Sequence, residues 1–167
     1  IECNPGRQTI LTIEDNFPTD LYMMQGLENF SPERIKTKVV PEKRLLDELN
    51  DSVAALLITE VNYKTGEIAD MSSITQKAHE KGILVIWDLS HSAGSIPVFL
   101  NDCSVDFAVG CGYKFLNGGP GAPAYLFVAK RHQEKINPIL SGWMGHEDPF
   151  SFVSRYSPAK GINRFLC

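Results

Sequence analysis

No two of the four cysteines form a C-x-x-C pair. Cys3, Cys103, Cys111 and Cys167 are scattered, a pattern that suits reduced thiols in a cytosolic protein better than a disulfide scaffold or a zinc site. No apolar stretch approaches spanning length, so no transmembrane segment is expected. Basic runs are missing too, and a net charge of −4 at pH 7 argues against general affinity for nucleic acid or acidic membranes. The common nucleotide motifs are incomplete. Gly110 and Gly112 lack the third glycine of G-x-G-x-x-G, and the glycines at 118–121 lead into Ala and Pro instead of Lys-Ser/Thr. G-x-S-x-G, which a serine hydrolase would want, does not occur. Asp88 and His91 lack partners for a metal site, because His79, His132 and His146 show no ligand spacing; no metal is expected. The chain opens at Ile1 without an initiator Met or signal pattern and stops at Cys167 straight after Phe165 and Leu166. Both ends read as cut, so the expectation is the middle of a longer protein.

What is present is an alternation of strands and helices. With 43% apolar residues, 167 residues can build one domain with a real core. Thr9–Ile13, residues 35–40, Val53–Thr59, 83–87, 105–110 and 122–128 read as strands. Residues 21–29 read as a short helix capped by Thr19 or Asp20, and Pro41 opens a helix through about Leu49. Asp70 or Ser72 caps a helix to Lys81 that Gly82 ends. Residues 91–100 are a short helix or turn, 130–136 a brief helix, and everything from Pro138 on is loop-rich. Unbroken apolar strands are covered on both faces. The fold class is therefore α/β, a mostly parallel sheet with helices on both faces. Ligands in such sheets bind beyond the carboxyl ends of strands. Asp88, Lys114 and the loop holding Phe17 and Asp20 all follow strands and should gather at one edge.

The stretch at 106–123, DFAVGCGYKFLNGGPGAP, sets Lys114 between a buried strand and a glycine-rich turn. A lysine there is short of room, close to backbone and partly desolvated, a setting that favours a nucleophilic amine. Upstream, a strand ends in Asp88 with His91 three residues on. A lysine amine, a strand-end carboxylate and a nearby aromatic ring suit pyridoxal phosphate. The amine bonds its aldehyde, the carboxylate holds its ring nitrogen protonated, and an aromatic side chain stacks on the ring. Taken singly, Lys114 reads as a surface lysine, Asp88 as a helix cap, and Phe17 and Trp143 as core residues.

The segments DLSHSAGSIP (88–97), 106–123, SGWMGHEDPF (141–150) and GINRFLC (161–167) closely resemble the kynureninase family. The resemblance extends to NFPTD (16–20) and NYKTGEIADM (62–71), so it spans nearly the whole chain in order. It implies the large domain of a fold-type-I pyridoxal-phosphate enzyme, related in fold to class V aminotransferases and cysteine desulfurases. This chain would be the central part of that domain, without the N-terminal segment and the C-terminal small domain. Lys114 would be the Schiff-base lysine and the base that moves the α-proton. Asp88 would pair with the ring nitrogen, reinforced by Asp20, and Phe17 would stack on the ring. Tyr113 would bond the phosphate and help proton transfer, and His91 would lie over the ring near the substrate. Trp143 would offer its indole N–H to the phosphate across a dimer interface. Nothing in the sequence decides whether Ser92 and Ser95 reach the cofactor, and His146 has no clear role.

The implied reaction is hydrolysis of L-kynurenine to anthranilate and L-alanine in tryptophan catabolism, with 3-hydroxykynurenine as the related substrate. The implied protein is a cytoplasmic homodimer. Rival readings are an aminotransferase or desulfurase of the same fold, or a module that keeps the fold without chemistry. Two positions depart from the family. Glu60 stands where a histidine or small residue is common, and Gly112 where a hydroxyl residue is usual. The family also places phosphate-binding threonines before Ile1 and after Cys167, and a substrate-binding arginine in its C-terminal domain. The isolated chain is therefore expected to turn over poorly or not at all.

Overall fold

Five-residue apolar runs punctuated by glycine, proline and helical segments favour parallel strands, and that is what the computed structural model contains. It describes residues 3–166, so Ile1, Glu2 and Cys167 lie outside the described residues. The chain divides into two compact units, Ile1–Phe127 and Val128–Cys167. A six-stranded sheet has the order β2-β1-β3-β4-β5-β6. Its strands are β1 (Thr9–Ile13), β2 (Lys36–Val40), β3 (Val53–Thr59), β4 (Leu84–Asp88), β5 (Phe107–Cys111) and β6 (Ala124–Val128). The β1/β2, β1/β3, β3/β4 and β4/β5 pairs are all parallel, as the unbroken apolar runs predict.

Helix α1 (Pro18–Phe30) joins β1 to β2, and α2 (Met71–Glu80) joins β3 to β4 on the other side of β1. Right-handed crossovers running in opposite directions place their helices on opposite faces. β3 is accordingly buried along nearly its whole length. The core gathers around Trp87, Leu11, Leu56, Val85 and Val105. The Trp87 indole N–H donates to Thr75 Oγ1 at 3.1 Å, which satisfies its one polar atom inside the core. Edge strand β2 carries Lys36 and Lys38, charges that discourage pairing with another chain.

Local differences from expectation have physical causes. α1 begins at Pro18, three residues early, with Phe17 at the N-cap and no side-chain cap bond. Proline's fixed φ and missing N–H suit the first helical position, so Asp20 sits inside the first turn instead of capping it. The helix expected after Pro41 is two short 3-10 turns, Glu42–Arg44 and Leu46–Glu48. Only Leu45 and Leu49 are buried there, too little packing to offset helix nucleation over so short a stretch. Residues 91–100 form turns, and α3 (Lys130–Gln133) is shorter than expected. The α2 boundaries hold, with Asp70 accepting from Ser73 N at 2.9 Å and Gly82 at φ 67°.

The second unit is built from α3, 3-10 turns at Trp143–Gly145 and Gly161–Phe165, and loops. Its centre is Arg164, which is 6% exposed. The guanidinium donates to Ala159 O (3.1 Å) and Ile136 O (3.3 Å) and pairs with Glu134 at 2.5 Å. Among the described residues, no helix is long and apolar enough to cross a membrane.

Candidate active site

Parallel strands share one carboxyl edge, and β1, β3, β4 and β5 all deliver residues to it. β1 and β2 pair over their full length, but the β1/β3 ladder stops at Leu11 and Leu56. The side chain of Asn16, 1% exposed, takes over where those strands part. Its Nδ2 donates to Thr12 Oγ1 (3.0 Å) and Leu57 O (3.3 Å), and its Oδ1 accepts from Thr59 N (2.9 Å). That one amide replaces ladder bonds at the point where the strand order reverses and positions the Phe17–Asp20 segment beside the ends of β3 and β4. Sequence reading treated Asn16 as ordinary loop. Its only signal in the sequence is an amide in the loop that follows an apolar strand.

On the edge so formed, Lys114 Nζ lies 3.0 Å from His91 Nε2, 5.1 Å from the Phe17 ring centre and 5.6 Å from that of Tyr113. An ammonium has only donors, so His91 Nε2 accepts and its proton resides on Nδ1. Nδ1 is buried without a partner. Burial and then the Lys114 charge hold His91 below its usual range, against the pull of Asp88. The Phe17 ring meets Tyr63 edge-on at 5.1 Å, and both rings lie just over 6 Å from the His91 ring (6.1 and 6.3 Å). Tyr63 was not singled out from the sequence, because a tyrosine after a strand carries no distinctive spacing.

Two carboxyls complete the group. Asp88 is 4% exposed, and its Oδ1 accepts from Ser90 N (2.9 Å) and Ser90 Oγ (2.6 Å). Asp20 Oδ2 is buried with no partner. Burial, then the Asp88 charge, push Asp20 up to about 7, with Lys114 opposing. Ser90, not foreseen, orients Asp88. Of the two serines whose reach the sequence leaves open, Ser95 spends its hydroxyl on His91 O (2.7 Å) and Ser92 O (3.0 Å), while Ser92 is fully buried.

The glycine loop has its own logic. A Cβ on Gly112 would come within 2.6 Å of Pro123 O, so a hydroxyl residue there would require the loop to shift. Asn117, at φ 60°, and Gly119, at φ 71°, make the reversal after Lys114. Trp143 belongs to the second unit, is 55% exposed, and donates its indole N–H to Pro149 O. His146 accepts from Asp148 N at 2.9 Å and meets Tyr156 edge-on, a loop role. The structure thus brings together Phe17, Asp20, Asp88, His91, Tyr113 and Lys114, all of them in the first unit.

Chemically, the first unit offers one amine, an aromatic face and two interacting carboxyls, one of which keeps an oxygen without a hydrogen-bond partner. A flat ring bearing a protonated nitrogen and an aldehyde matches that set. The N–H⁺ would answer the orphaned Asp20 oxygen and relieve its repulsion with Asp88.

Comparison with known proteins agrees with this geometry. The aminotransferase class-V family profile matches residues 9–153. A kynureninase from Deinococcus radiodurans is 50% identical over 161 residues, 96% of this chain and 39% of the relative. A kynureninase from Burkholderia pseudomallei is 48% identical over 164 residues, covering 98% of this chain and 39% of the relative. The chain therefore spans about two fifths of the length of the curated relatives it matches (39%). Among solved structures, a lysine mutant of C-DES with glycine covalently linked to its PLP cofactor superposes with TM-score 0.80 at 19% identity, covering 95% of this chain and 44% of that one. A cysteine desulfurase from Escherichia coli gives 0.77 at 20%, covering 98% and 42%. At such identities these two establish the fold.

Proposed function

The chain belongs to the aminotransferase class-V family, and from that premise we propose that it is the central part of the large domain of a pyridoxal-phosphate-dependent kynureninase. The reaction is hydrolysis of L-kynurenine, or its 3-hydroxy form, to anthranilate, or 3-hydroxyanthranilate, and L-alanine. The convergence of Lys114, His91, Phe17 and the Asp20–Asp88 pair carries the reading. Relatives 48–50% identical bear the kynureninase name, whereas the desulfurase likeness rests on 20% identity. That difference favours the hydrolase over the other chemistries of the fold.

When bound, pyridoxal phosphate supplies an electron-poor ring that accepts the electron pair freed at the substrate's α-carbon. Everything else is the work of side chains. Lys114 would hold the aldehyde carbon and, as a free amine, would take and return the α-proton. Asp88, held by Ser90, would keep the ring nitrogen protonated, with Asp20 adding its charge. Phe17 would stack on the ring. Tyr113 would hold the phosphate through its hydroxyl and help proton transfer. His91 turns its Nδ1–H toward the substrate carbonyl that water attacks. Trp143 gives up its bond to Pro149 and donates across a dimer interface in a cytoplasmic homodimer.

The test uses the full-length protein. It is mixed with pyridoxal phosphate, reduced with borohydride and mapped by peptide mass, and anthranilate release from L-kynurenine is assayed. Stoichiometric label on Lys114 with turnover supports the reading. Label spread over surface lysines, or cysteine desulfuration in place of anthranilate release, overturns it.

A further inference from the structure

Beside the end of β4 lies a buried polar layer that the proposed chemistry does not use. Glu60, directly after β3, is 6% exposed and Ser92 is 0% exposed. Glu60 Oε2, Ser92 Oγ and the Tyr125 hydroxyl are all buried without hydrogen-bond partners. The Glu60 amide donates to Asp88 O at 3.1 Å, so its side chain springs from backbone bonded to the carboxylate-bearing residue itself. Its carboxyl lies within electrostatic reach of the Ser92 hydroxyl without closing a hydrogen bond to it. Ser92 belongs to the turn that presents Asp88 and His91, closed by bonds from Ser92 N and Ala93 N to Leu89 O (3.1 and 3.0 Å). Tyr125 bounds the layer from β6 and leaves no room for a Cβ on Gly110.

No basic side chain pairs with Glu60 among the described residues. Besides Glu60, Tyr125 senses Asp88 and Cys111, Cys103 senses Asp102 and Asp70, and burial favours the neutral forms of both Tyr125 and Cys103. A carboxylate here would be an unpaired buried anion. A carboxylic acid instead has one O–H to give and a hydroxyl beside it to receive. Burial pushes Glu60 up accordingly, with Ser92 opposing. From the sequence, an acid at this place reads as a change in pocket charge; its burial points to a hydrogen-bond donor.

We propose that Glu60 is a positioning residue: as a neutral carboxylic acid it donates to Ser92 and so holds the 88–92 turn on which Asp88 and His91 are set for the cofactor. The proposal rests on the pyridoxal-phosphate reading above, but its protonation claim can be tested without the cofactor. In the full-length protein, the ¹³C resonance of the Glu60 carboxyl, assigned by its loss in Glu60→Gln, stays in the protonated position at pH 6. An exposed glutamate, with a pKa of about 4.3, is ionised there. Glu60→Gln, which keeps a donor and the shape, binds pyridoxal phosphate within about twofold of the parent and keeps its visible spectrum. Glu60→Ala binds about tenfold more weakly with an altered pH dependence of that spectrum, and Ser92→Ala follows it.

Titration of Glu60 near about 4.3 overturns the proposal. So does Glu60→Gln failing as badly as Glu60→Ala, which would mean the charge is needed. Glu60→Ala that melts earlier yet binds and absorbs as the parent does leaves only a structural role, and the positioning role is lost. If the parent protein takes up no pyridoxal phosphate at all, the functional reading fails and the positioning role falls with it. The NMR titration still decides whether Glu60 is neutral.

Discussion

The unit Ile1–Phe127 has a core in which Trp87, Leu11 and Leu56 are fully buried, whereas in Val128–Cys167 Ile139, Leu140 and Phe152 are 91%, 81% and 76% exposed. The first unit has a parallel ladder whose faces must both be covered, and its order comes from apolar packing. The second has little regular structure, and its order comes from one buried guanidinium and its carbonyl partners. Side chains that must hold fixed distances, such as Lys114 and His91, all lie in the first kind of environment. Trp143, the one proposed contact from the second, is exposed and bonded to its own loop.

Substitutions can break that contrast. The largest effect is expected from Lys114→Ala, which removes the borohydride label and lowers anthranilate release by at least about 10³-fold while the far-UV circular dichroism stays unchanged. Next, Trp87→Ala costs about 3–5 kcal/mol of stability in denaturant titrations, because it empties a core site and strands Thr75 Oγ1. Arg164→Met costs about 2–3 kcal/mol, seen as faster proteolysis within 128–167 and not within the sheet. Equal protection of both units in that variant would show that they do not order independently.

A smaller effect sharpens the contrast by pH. Asp20 has an ordinary value of 3.8 and is raised to about 7 in the folded chain. The folded form therefore keeps a proton that the unfolded chain has lost, and this group's contribution falls as pH rises between those values. Asp20→Asn should flatten the decline in melting temperature of the cofactor-free protein across that window. An unchanged slope would place the pH sensitivity elsewhere. The smallest change is expected from Phe152→Ser, within about 0.5 kcal/mol of the parent, as befits an exposed side chain.

Much of the sheet was legible because buried parallel strands leave continuous apolar runs. Thr9–Ile13 and Val53–Thr59 stand where those runs place them. The segment after Pro41 was not legible, since its proline and polar pattern suit a helix while the two buried leucines that decide the matter are a tertiary fact. Lys114 and Asp88 could be found by position, each falling at a strand end. Asn16, Ser90 and Tyr63 could not, because their importance lies in which backbone or ring they meet across the sheet edge, and no local spacing encodes that.

The Asn16 bridge also divides the site mechanically. Phe17 and Asp20 ride with β1 and β2, while Asp88, His91 and Lys114 ride with β3, β4 and β5. Between the two groups, past the last ladder pair, one side-chain amide acts as a latch. The Thr59 amide proton is therefore a reporter of that seam: bonded to a side chain and not to a strand, it exchanges with deuterium at the rate at which the seam opens. A flat ring inserted on this edge would touch both halves at once, and slower exchange at Thr59 would register its arrival before any chemistry began.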